Sequence, residues 1–186
     1  GDKTPGPWPV DAETPDTTTF LKFLTEAQQG DATAQFEVGL IYLNGIEVPQ
    51  DYAQAVSWFR QAAGQGHATA QAMLGAAYLD GQGVQQSADE GLKWLHVSAT
   101  ENDPVGHWIL GFAHATGYNV PRDYAAASPW LRKAAAQDIP MAQGLLGLLL
   151  AEGWGVPQDE EEAVSWFQKA AAQGHEASQG YLGIMY

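Results

Sequence analysis

Residues 153–175 read GWGVPQDEEEAVSWFQKAAAQGH, and residues 45–67 read GIEVPQDYAQAVSWFRQAAGQGH. Two copies of one segment mean either a duplicated functional loop or a structural unit repeated along the chain. The residues between them decide. Gly39, Gly75, Gly111, Gly147 and Gly183 fall 36 residues apart, and so do Trp58, Trp94, Trp130 and Trp166. Gly45, Gly81, Gly117 and Gly153 keep the same spacing, as do Val48, Val84, Val120 and Val156. Four columns hold one period without an insertion. The two segments are therefore the same part of the first and fourth units of an array.

Each unit reads as two helices. Recurring positions 35, 38, 39 and 42 follow the i, i+3, i+4, i+7 spacing of one helical face and predict a helix A over 32–43. Positions 55, 58, 59, 62 and 63 predict a helix B over 52–64. Asp51, Ser87, Asp123 and Asp159 stand where a short polar side chain caps helix B, and Gln54, Glu90 and Glu162 hold the capping-box position three residues on. Pro104 and Pro140 fall at the first position of helix A, where no N–H is needed. Gly45 and its equivalents end helix A in the left-handed conformation.

The Gly39 column lies inside a helix, where glycine costs about 1 kcal/mol relative to alanine. Close approach of two backbones is the compensating reason. Ala55, Gly91, Ala127 and Ala163 supply a matching small column on helix B. The tryptophan column, on an apolar stripe at helical spacing, is read as core rather than as a ligand platform. The expected architecture is all-α, about ten helices. Residues 17–31 form a leading half repeat of helix B type, and 32–186 hold four full repeats and a final helix A. That last helix ends on Ile184, Met185 and Tyr186 and lacks a polar outer face, so self-association through it, or a longer native chain, is expected.

Residues 1–16 carry no period and read as an extended, proline-rich leader. A tether behind a removed signal or lipid anchor and a plain disordered end both fit. The first residue is Gly, which points to a processed or trimmed chain.

Composition narrows the class. The chain is 45% hydrophobic and 16% charged, a globular balance. The longest apolar run, LLGLLLA at 145–151, is too short to cross a bilayer. There is no cysteine, which excludes disulfides and thiolate metal sites. The net charge of −14 disfavours nucleic acid and anionic membrane surfaces and would speed encounter with a basic partner, although the same charge fits plain solubility.

The repeating unit resembles the Sel-one-like repeat, the longer-loop relative of the tetratricopeptide repeat. Gln35, Gly39, Tyr42, Gly45, Val48, Asp51, Ala55, Trp58, Ala62, Ala63, Gly66 and His67 carry the pattern in the first unit. Gln143, Gly147, Gly153, Val156, Asp159, Ala163, Trp166, Ala170, Ala171, Gly174 and His175 carry it in the fourth. The resemblance implies a right-handed superhelical solenoid whose concave side, lined by the A helices, holds a protein partner. It implies no enzyme and no cofactor. It also implies the bacterial periplasm or envelope, with the cytoplasm as alternative. The roles it suggests are an immunity protein or inhibitor of a secreted toxin, or an adaptor that organises envelope or secretion proteins. A cysteine-rich branch of the family is excluded by composition.

No catalytic constellation stands out. His67 and His175 belong to the repeat turn, and His107 and His114 replace Gln and Tyr of their columns and should face the core. The latter two are about 10 Å apart along one helix, too far to share a metal, and His96 does not complete a site. Asp159 to Glu162 suit a helix N-terminus.

Function should sit in columns that vary on the outer face of helix A. The third and fourth repeats are apolar there: Trp108, Ile109, Phe112, Met141, Leu145 and Leu149. Met73 belongs to the same face of the second repeat, and Glu37, Asp80 and Glu152 are expected to form an acidic edge. These ten residues are the candidate partner-binding set, an apolar patch rimmed by acids. Pro129 inside the third helix B is expected to bend it.

Overall fold

A computed structural model describes residues 17–185. The proline-rich leader lies outside the described residues. Ten helices follow one another: α1 (Thr18–Gln28), α2 (Ala32–Asn44), α3 (Tyr52–Gly64), α4 (Ala68–Asp80) and α5 (Ala88–Thr100), then α6 (Pro104–Thr116), α7 (Tyr124–Ala136), α8 (Pro140–Glu152), α9 (Glu160–Ala172) and α10 (Glu176–Met185). No strand occurs among the described residues. The even helices from α2 to α10 are A helices, and the odd ones are B helices. Each packs on its neighbour in sequence, and α4 also touches α6 while α6 touches α8. The A helices thus approach one another along one side, which makes it the inner side of the stack.

The punctuation read from the sequence is in place. Asp51, Ser87, Asp123 and Asp159 accept from the backbone N–H three residues on. Gly45, Gly81, Gly117 and Gly153 close the A helices with φ between 66° and 75°. The capping box does not form. Each cap residue's own N–H is already given to a carbonyl of the preceding A helix: Asp51 to Tyr42, Ser87 to Tyr78, Asp123 to His114 and Asp159 to Leu150, at 2.8–3.0 Å. That donor has no need of the side chain three residues on. Glu162 instead meets the Arg132 guanidinium at 2.5 Å and the Trp166 indole N–H at 3.1 Å. The Arg132 contact, more than any other influence, holds its carboxyl below the usual range.

The interior glycines mark the closest helix approach. A Cβ built on Gly39 would lie 2.5 Å from Phe59 Cε1, and one on Gly147 would lie 2.7 Å from Phe167 Cε1. Gly75 and Gly111 meet Leu95 and Leu131 in the same way, both at 2.7 Å. Gly183, the fifth of the column, has no neighbour within 4 Å, because among the described residues no further helix B follows α10 to pack on that face. The core centre is accordingly the column Phe59, Leu95, Leu131 and Phe167, each no more than 2% exposed. Trp58, Trp94, Trp130 and Trp166, one position earlier, are only partly buried and seal the flank of that core. Lys133 and Lys169 lie over the rings of Trp130 and Trp166 at 5.0 and 4.4 Å.

Repeats are also latched by a buried amide column. Gln35 donates to the Ala27 carbonyl at 3.2 Å and accepts from Gln65 at 2.7 Å. Gln143 donates to Ala135 at 3.1 Å and accepts from Gln173 at 2.9 Å. His107 takes the same slot in the third repeat, fully buried, with one ring nitrogen at 3.2 Å from the Ala99 carbonyl and the other at 2.8 Å from Gln137 Oε1. The two turn histidines are N-caps: Nδ1 of His67 accepts from Ala70 N–H and Nδ1 of His175 from Ser178 N–H. Asp138 takes a left-handed φ of 61° where Gly66 and Gly174 have 88° and 86° in the equivalent turns. Helix α7 runs through Pro129 and keeps the 13 residues of the other full-repeat B helices.

Candidate protein-binding groove

The inner face carries an apolar hollow of about 290 Å³ between α6, α8 and α10. Trp108, Phe112 and Thr116, four residues apart, form one wall along α6; Met141, Leu145 and Leu148 line α8; Tyr181 closes the side from α10. Glycine opens it. The column Phe36, Ala72, Trp108, Gly144, Gly180 holds an aromatic ring twice and a bare backbone at Gly144. A Cβ at Gly144 would lie 2.6 Å from the His175 ring, so that ring packs directly on the helix. In the first repeat the Phe36 ring stacks on His67 instead, with centroids 4.6 Å apart.

The structure divides the candidate set. Trp108, Phe112, Met141 and Leu145 line the hollow together, and Met141 is 50% exposed. Leu149 does not join them: it is 0% exposed and packs in the core with Leu146, Leu150 and Phe167. The neighbouring residue, Leu148, takes the groove position. Ile109 also turns away, against the core around Leu95 and Leu110. The acids do not form one rim. Asp80 stands with Met73 at a separate slot of about 140 Å³ between α2, α3 and α4. Glu152 lies at a cleft beside α10 with Phe167, Tyr181 and Ile184, and Glu37 is half-buried on α2 away from these cavities. Ile184 is 83% exposed on that uncovered end.

Aromatic rings join the two inner cavities. Trp108 and Phe112 are 5.2 Å apart and Phe112 and Tyr118 5.8 Å, and the Asp80 carboxylate beside Tyr118 raises the phenol's pKa above its ordinary range.

The candidate set omits Gly144, Leu148 and Tyr181 at the hollow and Tyr52, Ala76 and Ala77 at the slot. A charge pattern is also legible once the helices are placed. Among the described residues every Lys and Arg lies on a B helix or in a loop; the A helices hold none, but hold Glu37, Asp80, Glu152 and Glu176. No group of three or more His, Asp or Glu among the described residues is arranged to hold a metal. None of the described helices is long and apolar enough to cross a membrane.

A stack of helix pairs whose inner A helices carry no Lys or Arg and leave apolar side chains open defines a repeat solenoid of the protein-interaction class. The Sel1 repeat family matches residues 32–67, 68–103, 104–139 and 140–175, and the chain belongs to that family. Among solved structures it is similar to a protective antigen of uropathogenic Escherichia coli strains displaying an SLR fold, with 38% identity and a TM-score of 0.81 over 90% of this chain and 36% of that one. It is also similar to a Sel1 repeat protein of Oxalobacter formigenes, with 34% identity and a TM-score of 0.76 over 89% of this chain and 48% of that one. A Sel1 repeat protein of Klebsiella pneumoniae shares the fold, with 18% identity and a TM-score of 0.61 over 86% and 79%. The chain thus spans between a third and a half of the first two relatives. No curated protein matches it. Sel1 repeats generally serve as protein-interaction scaffolds rather than enzymes.

Proposed function

We propose that this chain is a non-enzymatic binding solenoid of the bacterial envelope that holds a protein partner on its inner face and blocks that partner by covering it. The hollow between α6, α8 and α10 carries the reading. It offers aromatic and aliphatic walls that can desolvate an anchor residue, the usual source of affinity at an interface. The A helices, which carry no Lys or Arg, support a basic partner, a secreted toxin being the sharpest case, because they offer no like charge and the net charge of −14 favours its approach. An envelope location is part of the proposal, by analogy with the Escherichia coli relative, a protective antigen.

The test is capture of a partner from bacterial extracts, followed by binding kinetics. Trp108→Ala with Leu145→Ala should weaken binding by about 2 kcal/mol or more while the helical spectrum stays intact. Full affinity in that folded variant would move the site away from the hollow. Fractionation of the producing cell should place the protein with the periplasm or envelope, and recovery in the cytosol alone would overturn that part.

A second reading is an adaptor or scaffold that organises several envelope or secretion proteins. Capture of several proteins that survive the double substitution would favour it.

A further inference from the structure

The slot between α2, α3 and α4 has a different chemistry from the hollow. It exists because small residues stand at Ala76 and Ala77, where the fourth repeat has Leu148 and Leu149. Leu43, Tyr52 and Met73 wall it, and the buried Phe59 ring forms its floor. Its mouth is polar, with the exposed Asp80 carboxylate beside Gln82. Asp80 has no cation of its own: the ion pairs among the described residues are Lys93 with Glu90 and Arg132 with Glu162. No Lys or Arg of any A helix can supply one. Tyr118 is the neighbour that the carboxylate perturbs most, and a carboxylate has acceptor positions enough for a further donor.

We propose that this slot receives one lysine or arginine side chain of the protein partner, its methylene stem between Met73, Ala76 and Ala77 and its charged head on Asp80. The proposal rests on the protein-binding reading and names a second anchor for it. A purely apolar side chain would fill the slot but strip water from Asp80 without replacing its hydrogen bonds, which is costly. Lysine and arginine carry an apolar stem and a cationic head, so they meet both halves of the slot. A metal ion does not fit, since one carboxylate among apolar walls lacks the oxygen ligands that hard cations require. Tyr118, near Asp80 and with its ring 5.8 Å from Phe112, lies between slot and hollow, so a segment with a basic residue and an apolar residue can reach both.

The three methionines make the test site-resolved, because Met73 lines the slot and Met141 the hollow. The full chain, labelled with 13C at the methionine methyls, is titrated with acetyl-Gly-Arg-Gly-amide, with the norleucine analogue that keeps a stem without charge, and with the phenylalanine analogue. The arginine peptide should shift Met73 saturably, and the norleucine peptide should bind there about fivefold more weakly. Asp80→Asn should weaken the arginine peptide about three- to fivefold and leave the norleucine response unchanged. Ala76→Leu, which restores the residue type of Leu40 and Leu148, should abolish the Met73 response. Equal response of Met73 to arginine and norleucine peptides overturns the proposal. So does a silent Met73, or an arginine response that survives Ala76→Leu. The Met141 response to the phenylalanine peptide reports on the hollow separately: its loss counts against the protein-binding reading, and Met73 alone decides the slot.

Discussion

Gly75 and Gly91 face each other so closely that a Cβ built on either would lie 2.9 Å from the other's carbonyl oxygen. Backbone cannot yield as a side-chain tip does. Gly75→Ala should therefore destabilise the protein by about 1–3 kcal/mol, although alanine is the better helix former. Gly183→Ala meets open space and should stabilise by about 1 kcal/mol. Urea denaturation of both variants checks the pair, and a cost at Gly183 would contradict the open space beside it.

The buried Oε1 of Gln71 has no hydrogen-bond partner, whereas Gln35 and Gln143 accept from Gln65 and Gln173. The equivalent of those donors in the second repeat is Glu101, whose carboxylate cannot donate when ionised. Glu101→Gln should complete the latch and stabilise by about 1 kcal/mol. Gln173→Glu should destabilise by about 1–3 kcal/mol by creating the same orphan. Melting temperatures of the two variants should move in opposite directions.

Leu145 and Leu149 are one turn apart on α8 and differ in what they hold. Leu149→Ala should cost about 2–5 kcal/mol of stability, the loss of a fully buried leucine. Leu145→Ala should cost less and act on partner binding instead. Chemical denaturation beside binding kinetics separates them, and equal stability losses would return Leu149 to the groove.

His114 is pushed below the usual histidine range by burial, and also by the His96 charge, while Asp123 opposes the shift. Its Nδ1 is buried and unpartnered. The unfolded chain therefore binds more protons in that window, and stability rises with pH. The His114 contribution is fully present above about pH 6.5 and is lost as pH falls through the lower folded value. His114→Tyr restores the residue of Tyr42 and Tyr78 and should flatten stability between about pH 6.5 and 5. A slope identical to that of the parent would mean that His114 titrates as it does unfolded.

The period, the helix limits, the caps and the close-approach glycines were all legible in the sequence, because each is a local demand made at every repeat. A left-handed turn wants Gly45, and a backbone crossing wants Gly111, whatever else the chain does. The capping box was not legible: the N–H of Asp159 is satisfied by Leu150 of the preceding helix, a contact made across the repeat. The groove was legible by helix and not by residue. Helix α8 is apolar nearly all round, since α7, α9, α6 and α10 surround it, so no polar stripe marks the exposed edge. Leu148 and Leu149 differ by one position, about 100° of helical turn, and only the packing of neighbouring helices sends one to the groove and the other to the core. What the sequence by itself determined was the repeating unit and where each helix begins and ends. Which side chains the curved stack leaves for a partner was decided by the tertiary structure, because exposure on a helix packed from several sides depends on how closely its neighbours approach, and that distance is set by residues 20 to 40 positions away.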